Sequence, residues 1–291
     1  MKKLLLILLC LPMIGFGQLT MIPDANFEQK LINLGYDNGA INGSVYTALI
    51  DTVTNLNLYG SNISDLTGIE DFTALTYLDC EGNQLTSFDV SQNTALTFLN
   101  CSTNVITSLD VSQNTALTYL NCSFNELTSL DVSQNTTLTS LDCWENQLTS
   151  LDVSGATALT YLDCWENHLT SLDVSNNTAL NTLQCSNNNL TTLDVRNGNN
   201  TNITWFGAAY NPNLTCINVD DFQYSLFNWT NIDPLSYFSN NCSGTAIEEY
   251  STNKELLKVT DLLGRETKGT KNEVLFYIYD DGTVEKRIVI E

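Results

Sequence analysis

The sequence has little histidine and few basic residues. The 291-residue chain contains one histidine and 11 lysines and arginines, against 33 acidic residues. Between residues 31 and 242, Arg196 is the one base among 21 acids. Such a charge repels nucleic acid and anionic membranes. The single histidine, His168, stands where the preceding copy of a 21-residue repeat has Gln147, which indicates a solvated side chain. It also leaves no recurring Cys/His pair for catalysis or metal binding.

No hydrophobic run is long enough for a membrane span, which needs about 20 apolar residues. The longest, Leu4 to Leu11, follows Lys2 and Lys3 and precedes the small-residue segment Gly15-Phe-Gly17. This order is typical of a secretory signal, so residues 1–17 are interpreted as one. A retained anchor is the alternative. The sequence therefore predicts a protein that is secreted or held at the outer cell surface.

The dominant feature is a repeat of 21 residues. A cysteine recurs at this interval, at Cys80, Cys101, Cys122, Cys143, Cys164 and Cys185. An asparagine recurs at Asn83, Asn104, Asn125, Asn146, Asn167 and Asn188, and an aspartate at Asp89, Asp110, Asp131, Asp152, Asp173 and Asp194. Six matches at one period indicate a solenoid built from stacked coils.

Each coil contains two half-patterns, LxxLxCxxN and LxxLDVSxN. Strand alternation places Leu120 and Cys122 inside and Tyr119, Asn121 and Ser123 outside. The same reasoning puts the Leu and Val of each second half-pattern inside, and the Asn of each turn inward, against backbone groups that need partners. We therefore predict a mostly β repeat solenoid with two short parallel strands per 21-residue coil. The cysteines are interpreted as small core side chains.

The pattern resembles the bacterial leucine-rich repeats of the 21-residue LxxLxCxxNxL class. The resemblance covers roughly residues 54–220, and the degenerate first coil, residues 53–75, looks like the entry coil of internalin-type repeats. It implies a parallel sheet to which every coil contributes. It also implies a role in binding or adhesion.

The ends of the solenoid need caps, because they would otherwise expose core and strand edges. Asp24 is a plausible helix cap, and Phe27, Leu31 and Leu34 share one helical face after it. The predicted divisions are a signal peptide at 1–17, an N-terminal cap at 18–52, the solenoid at 53–220, a C-terminal cap at 221–242 and a linker with a sorting region at 243–291.

Two cysteines fall outside the repeat. Cys216 occupies the outward position of Thr192 in the preceding coil, so it does not belong to the buried series. A disulfide with Cys242 is predicted, which a secreted chain permits. Two free thiols are the alternative.

The C-terminal segments 256–266 and 274–291 have the pattern of strands, with a turn at Asp281-Gly282. Their "DLLGRE", "YIYDDG" and "EKR" stretches resemble the C-terminal sorting domain of the type IX secretion system of Bacteroidota. The resemblance implies passage through the outer membrane, followed by cleavage and attachment or release. A small stabilising hairpin is the alternative.

A recognition surface is expected where the outward positions differ between coils. The second strand repeats Ser-Asp-Ser, but the first strand varies and collects aromatic and acidic residues around the fourth and fifth regular coils. The predicted ligand-binding residues are Tyr119, Phe124, Asp142, Trp144, Glu145, Tyr161, Asp163, Trp165 and Glu166. Such a surface suits sugar rings and protein hot spots. Cross-strand stacking without a ligand is the alternative.

These features favour a binding or adhesion module for an extracellular protein or glycan, acting as a monomer. A structural surface spacer without a ligand is the second hypothesis. An extracellular hydrolase using Asp142/Asp163 or Glu145/Glu166 is the third, and is disfavoured because an open sheet is not expected to shift carboxylate pKa values. No cofactor is predicted. Calcium at the Asp series is an alternative to a solvated series supported by hydroxyl groups.

Overall fold

The computed structural model describes residues 17–242, 256–262, 264–268, 274–279 and 283–288. It divides into two units, residues 1–240 and 241–291. The first is a mostly β parallel solenoid with 21-residue spacing, which confirms the predicted fold class. All but the last residue of the predicted signal peptide, the linker residues 243–255 and the Asp281-Gly282 turn lie outside the described residues.

The strands in the described residues are β1 (Leu19–Met21), β2 (Ser44–Tyr46), β3 (Asn55–Asn57), β4 (Tyr77–Asp79), β5 (Phe98–Asn100), β6 (Tyr119–Asn121), β7 (Ser140–Asp142), β8 (Tyr161–Asp163), β9 (Ser171–Asp173), β10 (Thr182–Gln184), β11 (Thr192–Asp194), β12 (Trp205–Gly207), β13 (Cys216–Asn218), β14 (Tyr237–Ser239), β15 (Leu256–Thr260), β16 (Val274–Tyr279) and β17 (Val284–Ile288). The helices are α1 (Ala25–Leu34), α2 (Thr47–Ile50) and α3 (Phe222–Asn228), with short 3-10 turns at Ile69–Asp71 and Asn200–Asn202.

The first strand of each coil joins one eight-stranded parallel sheet, ordered β12-β10-β8-β7-β6-β5-β4-β3. Equivalent positions of neighbouring coils pair directly, so Leu120 lies between Leu99 and Leu141. These leucines and the cysteines that follow them are fully buried. The predicted inward positions are confirmed, and every coil presents its outward residues in straight rows across the sheet.

One predicted outward position is wrong. Ser123 is buried, with 2% of its surface exposed, and so are the equivalent Ser102 and Ser186. The short Ser123 side chain turns back and donates a hydrogen bond to Asn121 Oδ1 at 2.6 Å. A serine at this position therefore serves its own strand, whereas Trp144 and Trp165 at the same position are too large to do so and stay half-exposed.

The second strand is less regular than predicted. Leu130 and Val132 are buried as expected. Among the described residues, however, the paired strands of this row occur only in the later coils, in the sheet β14-β13-β11-β9. Earlier in the chain a single bridge joins Asp131 to Asp152. Each aspartate of this row accepts a hydrogen bond from the backbone N–H two residues later, as in Asp131 with Ser133 at 2.8 Å. Asp173 makes the same bond within the paired strand β9, so the local turn occurs with and without strand pairing.

These turns also explain how exposed aspartates tolerate close spacing. Hydrogen bonds from the backbone and the side chain of Ser112 lower the pKa of Asp110, and those from Ser133 do the same for Asp131. A lowered pKa means that the ionised form is stabilised by its own coil. Hydroxyl groups thus support at least these two aspartates of the series.

The six cysteines of the repeat are free thiols and fully buried. Burial raises the pKa of the Cys122 thiol well above its usual range, and the neighbouring Cys101 and Asp142 add to the effect. A neutral buried thiol is neither a nucleophile nor a metal ligand. Cys216 and Cys242 are disulfide-bonded, so the predicted bridge is confirmed.

The N-terminal helix begins where the sequence predicts. Asp24 caps α1 by accepting hydrogen bonds from the N–H groups of Asn26 and Phe27. Phe27 and Leu31 are fully buried, but Leu34 is 41% exposed. Leu34 lies at the last residue of the helix, before Gly35 takes the left-handed conformation, so it is less covered than the two residues that share its helical face.

At the far end of the first unit, Trp229 follows α3 and fills the space over the last coils. Its ring stacks on Phe206 with centroids 4.3 Å apart and meets Phe238 edge-on at 5.7 Å. Its indole N–H donates to the carbonyl oxygen of Ile203 at 3.0 Å. An aromatic cluster therefore covers the apolar core here.

The second unit contains a three-stranded antiparallel sheet in the order β15-β16-β17. The predicted C-terminal strands are confirmed within the described residues. A bridge between Thr260 and Glu266 closes the turn after β15. In this turn the Arg265 guanidinium pairs with Asp261 at 2.7 Å.

Candidate functional site

The predicted ligand-binding residues gather on and beside strands β6, β7 and β8. We call the surface formed by the following residues the aromatic–acidic face: Tyr119, Phe124, Asp142, Trp144, Glu145, Tyr161, Asp163, Trp165 and Glu166. The strand register places Asp142 directly beside Asp163. The repeat thus converts a 21-residue spacing in the sequence into contact between side chains of neighbouring coils.

The two paired aspartates are partly removed from water. Burial raises the pKa of Asp142 to about 6, and the negative charge of Asp163 adds to the rise. Burial also raises the pKa of Asp163, against hydrogen bonds from the Trp165 N–H at 3.0 Å and the Tyr161 hydroxyl. The prediction that an open sheet leaves carboxylate pKa values unshifted is wrong, because both acids are partly buried between neighbouring strands.

The tryptophans lie side by side without stacking face to face. The rings of Trp144 and Trp165 are 5.7 Å apart and tilted by 53°. Phe124 meets Trp144 edge-on at 4.2 Å. Rings arranged this way leave π-faces available to a ligand.

Full cross-strand stacking occurs elsewhere on the sheet. Tyr77 stacks on Phe98 with centroids 4.3 Å apart, and Phe98 stacks on Tyr119 at 4.5 Å, with interplanar angles of 9° and 3°. The alternative interpretation, stabilisation of the sheet by its own rings, therefore describes these three residues well. Tyr161 in the same row has Ser140 and Thr182 as its neighbours, and no aromatic ring.

The turn after each strand requires a left-handed backbone. Gly82 fills this position early in the solenoid, with φ of 68°, but Phe124, Glu145 and Glu166 occupy it in later coils, with φ between 49° and 54°. A bulky non-glycine residue in this conformation costs roughly 1–3 kcal/mol. Thr103 and Asn187 have the same conformation at this position, with φ of 56° and 58°, so the left-handed turn belongs to the repeat, and its copies in the aromatic–acidic face present an aromatic ring and two carboxylates.

Two shallow depressions each contain some of the predicted ligand-binding residues. The larger, of about 630 Å³, is lined by Tyr161, Asp163, Trp165, Thr182, Gln184, Thr204 and Trp205. The smaller, of about 470 Å³, is lined by Glu145, Asn146, Glu166, Asn167, His168, Asn187, Asn188 and Asn189. Tyr119, Phe124, Asp142 and Trp144 lie outside both linings.

Sequence reasoning missed Trp205, which borders the larger depression and is 63% exposed. Strand β12 pairs it with Thr182 and so places it in the row of Tyr161. The interval from Thr182 to Trp205 is two residues longer than the period, which hides the equivalence. Alignment of the stretched coil on Phe206, the buried counterpart of Leu183, would have found it.

The raised pKa of Asp142 predicts a gain in stability for Asp142→Asn. A carboxyl whose pKa is higher in the folded state binds more protons there, so stability falls as the pH rises from about 4 to 6. The variant should be more stable than the parent protein at pH 7, by about 1 kcal/mol after allowance for solvent screening. Urea unfolding at pH 4 and pH 7 measures both effects.

Asp131→Asn is the matched control, because hydrogen bonds lower the pKa of Asp131 in the neighbouring row. It should not stabilise the protein at pH 7. Equal pH profiles for the parent protein and Asp142→Asn would contradict the expected role of Asp142.

Comparison with known proteins identifies solved structures with a similar fold. No protein-family model matches the chain. A segment of 71 residues, 24% of the chain, is 40% identical to Internalin J from Listeria monocytogenes serotype 4b (strain F2365), and this match spans 8% of that protein. A crystal structure of an internalin C2 from Listeria monocytogenes str. 4b F2365 is 20% identical, with a TM-score of 0.54 over 75% of this chain and 95% of that one.

The functional domain of InlJ from Listeria monocytogenes, described as including a cysteine ladder, is 28% identical over 76% of this chain and 70% of that one, with a TM-score of 0.30. Together with the 21-residue coils, the likeness to internalin C2 shows an internalin-like leucine-rich repeat fold.

Two further structural findings concern the described residues alone. None of their helices has the length and apolar character of a membrane span. No three of their His, Cys, Asp or Glu side chains come together as a possible metal site.

Proposed function

We propose that this protein is a secreted or cell-surface binding module that recognises an extracellular protein or glycan through its aromatic–acidic face. The observation that carries the proposal is the pairing of Trp144 with Trp165 beside Asp142 and Asp163. Packing of the solenoid does not need these four side chains, because other coils have Ser123 and Asn121 at the same positions. The outward residues of this face therefore differ between coils, although the buried residues repeat.

The energetics of the face agree with this function. Half-buried acids with raised pKa values reduce the stability of the free protein at neutral pH. Ligand-binding sites are where such features are expected, since a ligand can satisfy groups that the fold leaves unsatisfied. A structural spacer, the alternative function, has no need of such acids.

Export is part of the proposal. The segment at 1–17 has the pattern of a secretory signal, and the C-terminal region at 243–291 resembles a type IX sorting domain. The disulfide between Cys216 and Cys242 fits an oxidising compartment. These features support delivery of the solenoid to the outside of the cell.

The test is a double variant, Trp144→Ala/Trp165→Ala, compared with the parent protein on arrays of glycans and extracellular-matrix proteins. We expect saturable binding by the parent protein and a loss of at least about 100-fold in the variant, since interface tryptophans are frequent hot spots worth about 2 kcal/mol or more each.

The matched control is Tyr77→Ala/Phe98→Ala, which removes two rings of the same sheet from the stacked set. It should keep the affinity within about threefold of the parent protein, a difference under about 1 kcal/mol. The proposed face is wrong if both double variants bind as the parent does. Absence of any saturable partner would favour the structural spacer.

A further inference from the structure

The larger depression at the end of the aromatic–acidic face combines a carboxylate with aromatic walls. Tyr161 and Trp205 stand in one row, separated by Thr182, while Trp165 borders the opposite side. Asp163 lies on strand β8 between Tyr161 and Trp165 in the sequence and lines the same space. A group that enters here meets π-faces and a negative charge together.

A glycine on strand β12 makes room for one of the lining residues. Gly207 is the counterpart of Gln184 on strand β12, and a Cβ atom built on it would lie 2.1 Å from Gln184 Oε1. The Gln184 side chain therefore lies over Gly207. A side chain at position 207 would collide with Gln184 and with Asn231 Nδ2, which lies 2.7 Å from the same Cβ position. Strand β12 thus supplies Trp205 as a wall, and Gly207 makes room for Gln184, which lines the same depression.

The charges of the face call for a positive partner. Arg196, the one base between residues 31 and 242, pairs with Asp194 at 2.5 Å on the second strand row. On strands β7 and β8 and in the turn after β7, burial raises the pKa values of Asp142, Asp163 and Glu145. Negatively charged neighbours add to the rise at Asp142 and Glu145. Among the described residues, no basic side chain lowers the pKa of Asp142 or Asp163, and none lines the larger depression.

We propose that the larger depression receives an arginine side chain from a basic, extended segment of a partner protein. This inference rests on the proposed function and names the chemistry of the ligand. A guanidinium stacks on aromatic rings and forms paired hydrogen bonds with a carboxylate, which matches Trp165, Trp205 and Asp163. A neutral sugar would cover the same carboxylates without supplying a compensating charge, so it fits the site less well.

The same contact makes binding depend on pH. A guanidinium beside Asp163 would lower the pKa of that acid, which burial raises in the free protein. Binding then releases protons, and affinity falls as the pH drops into the range in which Asp163 becomes protonated. Added salt should weaken binding, because the attraction is between charges near the surface.

The probe is the peptide Gly-Arg-Gly-Arg-Gly, titrated into the full chain by calorimetry, with Gly-Gln-Gly-Gln-Gly as the uncharged comparison. We expect saturable binding of the arginine peptide alone. Asp163→Asn should weaken it by about tenfold or more, since one charged hydrogen-bonded pair is lost. Trp205→Ala should weaken it by about threefold to tenfold.

The matched control is Asp173→Asn, which removes the same charge from an exposed position on the second strand row. It should change the affinity by less than about twofold, because it leaves the depression intact. Circular dichroism should show folded protein for every variant, as Asn121 already occupies the position equivalent to Asp163 in another coil.

Three results would overturn the inference. One is equal binding of the two peptides, and another is an equal loss in Asp163→Asn and Asp173→Asn, which indicates general charge attraction. The third is no peptide binding together with Trp144- and Trp165-dependent glycan binding on the array. In that case the proposed function stands and the basic partner is wrong. Loss of all tryptophan-dependent binding would remove the proposed function as well.

Discussion

Replacing Asn125 by alanine is expected to lower the free energy of unfolding by about 3 kcal/mol, because one buried N–H group loses its acceptor and two or three further hydrogen bonds disappear. Asn125 Oδ1 accepts from the Ile106 N–H at 2.9 Å. Its Nδ2 group donates to the carbonyl oxygens of Cys101, Cys122 and Ser123 at 3.0–3.1 Å. One amide therefore joins two consecutive coils.

Asn135 is the matched control in the second half of the same coil. It is fully buried, and its Nδ2 group donates to the carbonyl oxygens of Val111 and Asn114. Its Oδ1 atom, however, has no hydrogen-bond partner among the described residues. Both carbonyl oxygens also accept from backbone N–H groups. Asn135→Ala therefore orphans no backbone group and should cost about 1 kcal/mol or less.

The chain already contains this second replacement, since Ala156 occupies the position equivalent to Asn135 one coil later. No alanine occurs in the series to which Asn125 belongs. Urea unfolding of the two single variants measures the contrast. A loss for Asn135→Ala as large as that for Asn125→Ala would show that the two asparagine series contribute equally, and the unpartnered Oδ1 atom would then be no guide to stability.

The buried rows of the fold could be predicted because each depends on one repeating requirement. Leu120, Cys122 and Asn125 face inward for reasons of apolar packing and backbone hydrogen bonding that hold in every coil. The pattern is least informative where an outward side chain interacts with its own neighbours. Ser123 turns back onto Asn121, so a buried serine appears where alternation predicts an exposed one.

The candidate site was predictable in part. Variation between coils identifies Trp144, Trp165 and the paired aspartates, because the core does not constrain those positions. Trp205 could not be found by counting, since the last coil is longer than the period. The shift in the pKa of Asp142 depends on how much water its neighbours exclude, and this follows from ring positions in three dimensions.

The largest effect outside the repeats is expected at Asp24, where one carboxylate joins the N-terminal helix to the first coil. Oδ1 accepts from the N–H groups of Asn26 and Phe27, which caps α1. Oδ2 accepts from the N–H and hydroxyl of Ser64 and from the Asp65 N–H. Asp24→Ala should therefore lower the free energy of unfolding by about 2–4 kcal/mol, which combines the loss of a helix cap with the loss of hydrogen bonds to a charged group.

Acid should remove the same contribution from the parent protein. Burial acts to raise the pKa of Asp24, but hydrogen bonds from Ser64, Phe27 and Asn26 outweigh it and lower the pKa below its ordinary value of 3.8. A carboxyl with a lowered folded pKa stabilises the protein above about pH 4 and loses that contribution as the pH falls through the folded value. Asp24→Ala should therefore differ most from the parent protein at neutral pH and least near pH 2.

Asp89→Ala separates the effect of the capping contacts from the effect of charge. It removes a carboxylate that accepts a hydrogen bond from the Ser91 N–H within an exposed turn, so its cost should stay below about 1 kcal/mol. Urea unfolding of both variants at pH 7 and pH 2 measures the comparison. An equal loss in the two variants would mean that Asp24 acts through its charge alone, and that the helix is held to the first coil by the packing of Phe27 against Phe72.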